Sequence, residues 1–278
     1  GNNDQPLLRD PALTEEADYV VMESTYGDRY HEKEKIDPVE ELANIISETL
    51  SRGGNVVIPS FAIGRTQVML YYIRQIKYNN MIPDYPDFPV YVDSPLAVSA
   101  TEIFMENEQD CFDEEAMSLV RQGINPIQFR NLRLSITTEE SKAINEDDEP
   151  KVIISASGMC DAGRIRHHLK HNLWRPESAV VFVGYQGEGT LGRRLLEGAK
   201  SVKLFGEEIA VKARILNFPG LSSHADRDHL LEWIDRFAPA PEQVFVVHGD
   251  SEVTELFANS LNERSIPAHA PLYEEVYD

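Results

Sequence analysis

The sharpest chemical feature of the sequence is the run Val244-Phe-Val-Val-His248-Gly249-Asp250. A histidine that closes a buried strand and precedes a glycine is held rigidly while its ring faces a cleft, and neutral imidazole is the commonest metal ligand. A surface histidine at a strand end is the blander alternative. A second histidine lies in Leu221-Ser222-Ser223-His224-Ala225-Asp226, ahead of a helix whose apolar face is Leu230, Leu231, Ile234 and Phe237. Ser222 or Ser223 is the expected N-cap. Near a helix start, free N–H groups and the dipole favour an anion such as phosphate. A histidine there can protonate a leaving oxygen once an anion or a carboxylate offsets the dipole. Taken alone, a capping-loop histidine without a role is the simpler reading. Glu23, in Glu23-Ser-Thr-Tyr-Gly-Asp28, closes the first apolar run and could orient His224.

Three small-residue loops could approach phosphate. Ser155-Ala-Ser157-Gly158-Met-Cys-Asp-Ala-Gly163-Arg164 follows an apolar run and leads into a helix. Its backbone amides and helix start suit an anion. It is not a P-loop, because no lysine follows the second glycine. Pro59-Ser60-Phe-Ala-Ile-Gly64-Arg65 has the same logic, with Arg65 able to grip a phosphate, and Gly184-Tyr-Gln-Gly187-Glu-Gly189 is a third. Each also fits an ordinary strand–glycine–helix turn made for packing. His31, His229 and His269 show no partner spacing and read as surface or packing residues. His167 and His168 are adjacent, cannot share a helix face, and do not read as a metal pair.

The elements that must position these residues alternate along the chain. Apolar runs at Tyr19–Met22, Val56–Ile58, Val90–Val92, Val152–Ile154, Ala179–Val183 and Val244–Val247 read as strands. Helical patterns lie between them, and Val202–Phe205 with Ala210–Phe218 reads as a strand pair turning at Gly206 and Glu207. Strand–helix–strand repetition predicts an α/β fold with a mostly parallel sheet and helices on both faces. Glu23, Ser60, Asp93, Ser155 and His248 each close an apolar run. Ligands bind beyond the carboxyl ends of such strands, so the five together point to a cleft, or to two clefts on two sheets.

Composition narrows the classes. The 278 residues carry a formal net charge of −21, which weighs against nucleic acid as a partner, since phosphate contacts need Lys and Arg. The acids crowd around Glu139, Glu140, Glu146, Asp147, Asp148 and Glu149, read as solvated loops. Between Arg164 and Arg175 the balance reverses, and a local basic face is as consistent with the residues as an ordinary solvated helix face. Two cysteines, Cys111 and Cys160, argue against a disulfide framework or a thiolate zinc site. No apolar stretch approaches the ~20 residues of a membrane span, and the first residues do not form a signal peptide. The expected compartment is the cytoplasm, with no membrane partner.

In order, these segments resemble the β-CASP branch of the metallo-β-lactamase superfamily, RNA-processing nucleases related to the pre-mRNA 3′-end cleavage endonuclease. Glu23 in ESTYG looks like the motif A acid, His224 in SSHAD the motif B histidine, and His248 in VVHGD the motif C histidine. SFAIGR, VDSPLA, SASGMCDAGR and GYQGEGTLGR are further family-like blocks, so the resemblance covers nearly the whole chain. It implies zinc-dependent hydrolysis of RNA phosphodiesters, with two zinc ions in the intact parent and RNA as the partner; a homodimer is allowed. It assigns His248 as metal ligand and His224, oriented by Glu23, as the group that protonates the leaving oxygen. Ser60, Arg65, Ser155, Ser157, Gly158 and Arg164 become the backbone-binding set. The family's HxHxDH segment is not in this sequence, so the chain reads as a fragment whose single remaining imidazole cannot hold zinc and which is inactive alone. The implied domains are a lactamase-like remnant at 1–27, a β-CASP domain at 28–200, and a lactamase-like return at 201–278, the C-terminal remnant of an αββα sandwich. The alternatives are an RNA-binding domain, a catalytically dead scaffold paralogue, and a metallohydrolase acting on a non-RNA ester.

Overall fold

A computed structural model describes residues 1–3, 5–30, 37–218 and 222–277. His31 and Leu221, read from the sequence as a surface or packing residue and as part of the His224 segment, lie outside the described residues. The strands, in chain order, are β1 (Tyr19–Glu23), β2 (Val56–Pro59), β3 (Val90–Asp93), β4 (Leu132–Ser135), β5 (Val152–Ser155), β6 (Ala179–Phe182), β7 (Ser201–Leu204), β8 (Glu207–Ala210), β9 (Arg214–Asn217), β10 (Gln243–Val247) and β11 (Ala268–His269). The chain divides into two compact units. One comprises Gly1–Gln5, Arg9–Lys33 and Ser222–Asp278; the other comprises Pro6–Leu8 and Glu34–Leu221. The sequence placed the corresponding borders at about 27 and 200.

The larger unit holds a six-stranded parallel sheet in the order β4-β3-β5-β2-β6-β9. β2, β3, β5 and β6 are buried at every residue, as expected of parallel strands covered on both faces. On one face Val56, Ile58, Val90, Val92, Val152 and Ile154 pack with Leu42, Ile46, Leu50, Met69, Leu70 and Ile73. These come from the helices Pro38–Ser51 and Arg65–Tyr78, and each buried Leu or Ile contributes roughly 2 kcal/mol of transfer free energy. On the other face Val57, Ile153, Val180 and Phe182 pack with Ile165, Leu169 and Leu173. The first of these helices starts where Asp37 accepts a hydrogen bond from Val39 N at 2.8 Å, with Pro38 in the first turn.

The strand pair expected at Val202–Phe205 and Ala210–Phe218 divides differently. β7 pairs antiparallel with β8, whereas β9 pairs with β6 in the large sheet. The turn is built by Phe205 and Gly206, both at positive φ (50° and 86°). The acidic segment read as solvated loops also differs: Thr138–Glu146 is a helix. Its start is a capping box, in which Thr137 Oγ1 accepts from Glu140 N and the Glu140 carboxylate accepts from Thr137 N. Asp147 then forms an ion pair at 2.8 Å with the fully buried Lys151.

The smaller unit is a three-stranded parallel sheet, β1-β10-β11. Val20, Met22, Val244 and Val246 face Leu230, Ile234, Phe257 and Leu261, which belong to the helices Arg227–Ile234 and Ser251–Glu263. The N-cap of the first is Asp226, whose side chain accepts from His229 N at 3.1 Å. It is not Ser222 or Ser223: Ser222 Oγ instead accepts from His224 N at 3.2 Å, a local turn upstream of the helix. Among the described residues no helix is long and apolar enough to cross a membrane.

Candidate active site

β1 and β10 are neighbours in register, with Glu23 opposite Val247. Glu23 and His248 therefore leave the sheet side by side, although 225 positions separate them in the sequence. His224 joins them from the loop before the helix Arg227–Ile234. The ligand atoms of Glu23, His224 and His248 all lie within 4.8 Å of one another, and the two imidazole centroids are 5.0 Å apart.

Hydrogen bonds set the orientation of each side chain. His224 Nδ1 lies 2.5 Å from Glu23 Oε2, and Ala225 N donates to Glu23 Oε1 at 3.2 Å. Burial pushes the Glu23 carboxyl up, but the His224 hydrogen bond and charge, with Thr25 and the Ala225 amide, outweigh it and hold the group below its ordinary value. Glu23 is thus a carboxylate at neutral pH, and the atom of His224 left for chemistry is Nε2. Thr25 Oγ1 donates to His248 O at 3.0 Å and lies 3.1 Å from His248 Nδ1. A hydroxyl has one proton. The Glu23 carboxylate, His248 O and His248 Nδ1 are all within its reach, so Thr25 engages His248 at Nδ1 and leaves Nε2 as the open ring nitrogen. His248 sits at φ 51°, an uncommon region for a non-glycine residue and a frequent mark of functional positions. Gly249 follows because there is no room for a side chain: a Cβ there would lie 2.6 Å from Ser24 Oγ.

The donors suit a metal in kind. Two imidazoles and a carboxylate are borderline nitrogen and oxygen ligands of the sort zinc takes. The fit is partial, since the Glu23–His224 bond already occupies one carboxylate oxygen and one ring nitrogen. His248 Nε2 is the donor best prepared.

The larger unit brings the loop residues together at the carboxyl ends of β2 and β5. These strands are adjacent, yet the helix after β2 packs on one face and the helix after β5 on the other. Such a reversal opens a crevice beyond the strand ends, the usual ligand position in parallel α/β sheets. The expected backbone-binding set is distributed around it unevenly. Ser60 is 1% exposed and accepts from Thr66 Oγ1 at 3.1 Å. Ser155 is 1% exposed and donates to Asp93 O at 2.8 Å. Arg65 is buried, and Arg164 Nη1 donates to Asp93 Oδ1 at 2.7 Å. Ser157, half-buried, donates to Ala162 O at 3.3 Å, and Gly158 is buried.

His168, set aside as one of an adjacent pair, is completely buried with Nε2 2.7 Å from Asp93 Oδ2 and Nδ1 2.9 Å from Asn145 Oδ1. Ser141 Oγ also donates to Asp93 Oδ2 at 2.6 Å. Burial works against ionisation of Asp93, but these donors and Arg164 prevail and hold its carboxyl at about 2. The signal was present in the sequence: Arg164 and His168 are four residues apart, on one helix face. Two other basic residues of that segment are paired, Lys170 with Glu207 and Arg175 with Glu177. His229 and His269 contact Asp226 and Glu275.

Two segments of the chain match known protein families. The Beta-Casp domain family model matches residues 66–195, and the model described as Zn-dependent metallo-hydrolase RNA specificity domain matches residues 208–271. The chain is similar to Ribonuclease TTHA0252 of Thermus thermophilus, 38% identical over 252 residues, covering 91% of this chain and 56% of that protein. It is 32% identical over 264 residues to the transcription termination factor FttA of Methanocaldococcus jannaschii, covering 91% of this chain and 40% of that protein. An RNase J-like protein of the same organism is 34% identical over 266 residues, 94% of this chain and 60% of that protein. The chain spans about half the length of the curated relatives it matches.

Proposed function

We propose that this chain, which belongs to the β-CASP branch of the metallo-β-lactamase superfamily, is part of a metal-dependent ribonuclease that hydrolyses RNA phosphodiester bonds in RNA processing or decay in the cytoplasm. The observation that carries the reading is the convergence of Glu23, His224 and His248 within 4.8 Å, with the two histidines oriented for different tasks. Glu23 holds His224 by Nδ1, so Nε2 can carry a proton to a leaving oxygen. Thr25 holds His248 by Nδ1, so its Nε2 lone pair can bind a metal. The family implies a metal cofactor; our proposal is zinc, two ions in the intact protein, with His248 as this chain's ligand. When bound, such a metal activates water and neutralises charge on the scissile phosphate.

In the larger unit, the crevice between the β2 and β5 loops would hold the RNA backbone. Ser157 and the amides around Gly158 belong to the loop that follows β5. Ser60, Ser155 and Arg164 act in this reading through the loops they brace, and Arg65 from the helix start. We assign the lactamase-like part to the segments around β1 and β10, and the β-CASP part to the segments between them.

The test uses the whole ribonuclease of which this chain is proposed to be part. His224→Ala should lower RNA cleavage by roughly 10²- to 10⁴-fold, the usual worth of a general acid, with bound metal unchanged. Unaltered cleavage would remove His224 from the mechanism. The present chain should bind single-stranded RNA in a salt-sensitive way without cleaving it, and no binding at low salt would count against the backbone-binding crevice.

A further inference from the structure

At the crevice between the β2 and β5 loops, the polar side chains turn inward and an aromatic ring turns outward. Phe61 is 44% exposed, although its own backbone is among the most firmly held in the loop. Its carbonyl accepts from Thr66 N at 3.3 Å, Thr66 Oγ1 at 2.8 Å and Ser60 Oγ at 3.3 Å. The ring rests on glycine. A Cβ on Gly158 would lie 3.0 Å from both Cδ2 and Cε2 of Phe61, and one on Gly184 would lie 3.9 Å from Cε2. Three strand ends, those of β2, β5 and β6, thus meet at one phenyl ring. A side chain at position 158 would press on the ring, so Gly158 gives it a close seat, and a large part of its surface remains open to solvent. The ring is braced underneath by glycine and partly bare above. Bases of a single strand stack on such platforms irrespective of sequence, because every base has a π face.

We propose that Phe61 is a nucleobase-stacking residue, positioning one unpaired base of single-stranded RNA over the loop that Gly158 and Ser157 form. The proposal rests on the RNA reading above and adds to it a contact to a base where that reading has only contacts to the backbone. The contact is non-ionic and sequence-tolerant. It also suits a chain of net charge −21, whose acidic balance opposes affinity through phosphate alone.

The experiment measures binding of fluorescein-labelled oligoadenylate to this chain by anisotropy, in chelator to prevent cleavage, against the same oligomer with abasic residues. Phe61→Leu keeps apolar volume without a π face, and Phe61→Tyr keeps the face. Stacking predicts that Phe61→Leu binds oligoadenylate about 5- to 100-fold more weakly, and that Phe61→Tyr stays within about twofold of the parent. The salt dependence of both should match the parent, because no phosphate contact has changed. On the abasic oligomer, parent and Phe61→Leu should bind alike. If Phe61→Leu equals the parent on oligoadenylate, or loses as much on the abasic oligomer, the stacking assignment is wrong while the backbone-binding crevice stands. If the parent binds neither oligomer at low salt, both fall.

Discussion

Replacing Asp93 by Asn tests whether the buried Asp93–His168–Arg164 cluster holds the larger unit together. The Asp93 side chain is fully buried, and its carboxylate accepts from His168 and Arg164 at 2.7 Å each and from Ser141 at 2.6 Å. Its carboxyl is held at about 2 against an ordinary 3.8. A shift of nearly two units corresponds to about 2 kcal/mol of stability at neutral pH. Asparagine keeps the volume but turns an NH₂ toward one of the donors and leaves Arg164 without its counter-charge, and breaking a buried pair costs about 3–5 kcal/mol. The expected loss is therefore about 2–4 kcal/mol. Trp174 and Trp233 fall one in each compact unit, so urea unfolding followed by fluorescence in a Trp233→Phe background reports the larger unit alone. Because the folded-state value is depressed, the stabilisation is present above the ordinary carboxylate range and is lost as pH falls toward 2. The gap between parent and variant should be level from about pH 5 to 8 and narrow below about pH 4. A gap under about 0.5 kcal/mol at neutral pH, or one that widens on acidification, would refute the reasoning.

Three further outcomes are expected. Thr25→Val removes the hydroxyl that engages His248 at Nδ1, and in the whole ribonuclease proposed above it should weaken zinc or cobalt affinity roughly 10- to 100-fold, read by competition with a chromophoric chelator. Gly249→Ala would place a Cβ 2.6 Å from Ser24 Oγ, and should destabilise the smaller unit by about 1–3 kcal/mol, seen as an earlier Trp233 transition with Trp174 unaffected. Gly54→Ala would place a Cβ 2.0 Å from the backbone oxygen of Glu177, which cannot yield as a side chain does. The variant should lose at least about 3 kcal/mol in the larger unit or fail to fold, and near-parental melting would show that the Gly54–Glu177 approach is loose.

Much of the sheet was legible because its strands are buried on both faces. Val56–Pro59, Val90–Asp93 and Val152–Ser155 are continuous apolar runs ended by a polar residue or proline, and such runs are hard to read otherwise. β4 was not legible. It is an edge strand whose Arg133 and Leu134 are exposed, so it carries no apolar run. Nor was the neighbour order, since β2 lies between β5 and β6, a pairing decided by contacts about a hundred residues apart. The apolar stretch at 213–218 showed a strand without showing its partner, and β9 joins β6 rather than the adjacent hairpin. The acidic segment misled because charge was weighed ahead of capping, although Thr137 and Glu140 have the spacing of a capping box.

The candidate site shows a different limit. Glu23, His224 and His248 could be named because carboxylates and imidazoles at strand and helix ends are chemically conspicuous. What distinguishes the settings of the two histidines is less visible. Both are held at Nδ1, one by a carboxylate and one by a hydroxyl. The Glu23 partner is a carboxylate that brings a charge to its ring, whereas the Thr25 partner is a hydroxyl that brings none. Thr25 lies two residues after Glu23 in the same strand end, and it has no chemistry of its own to mark it in a sequence. Only the parallel register of β1 on β10, Glu23 opposite Val247, brings its hydroxyl to His248. A difference of one partner, placed by sheet register, is what distinguishes the surroundings of the two rings at Nδ1. That is why residue type located the site while backbone pairing had to assign its parts.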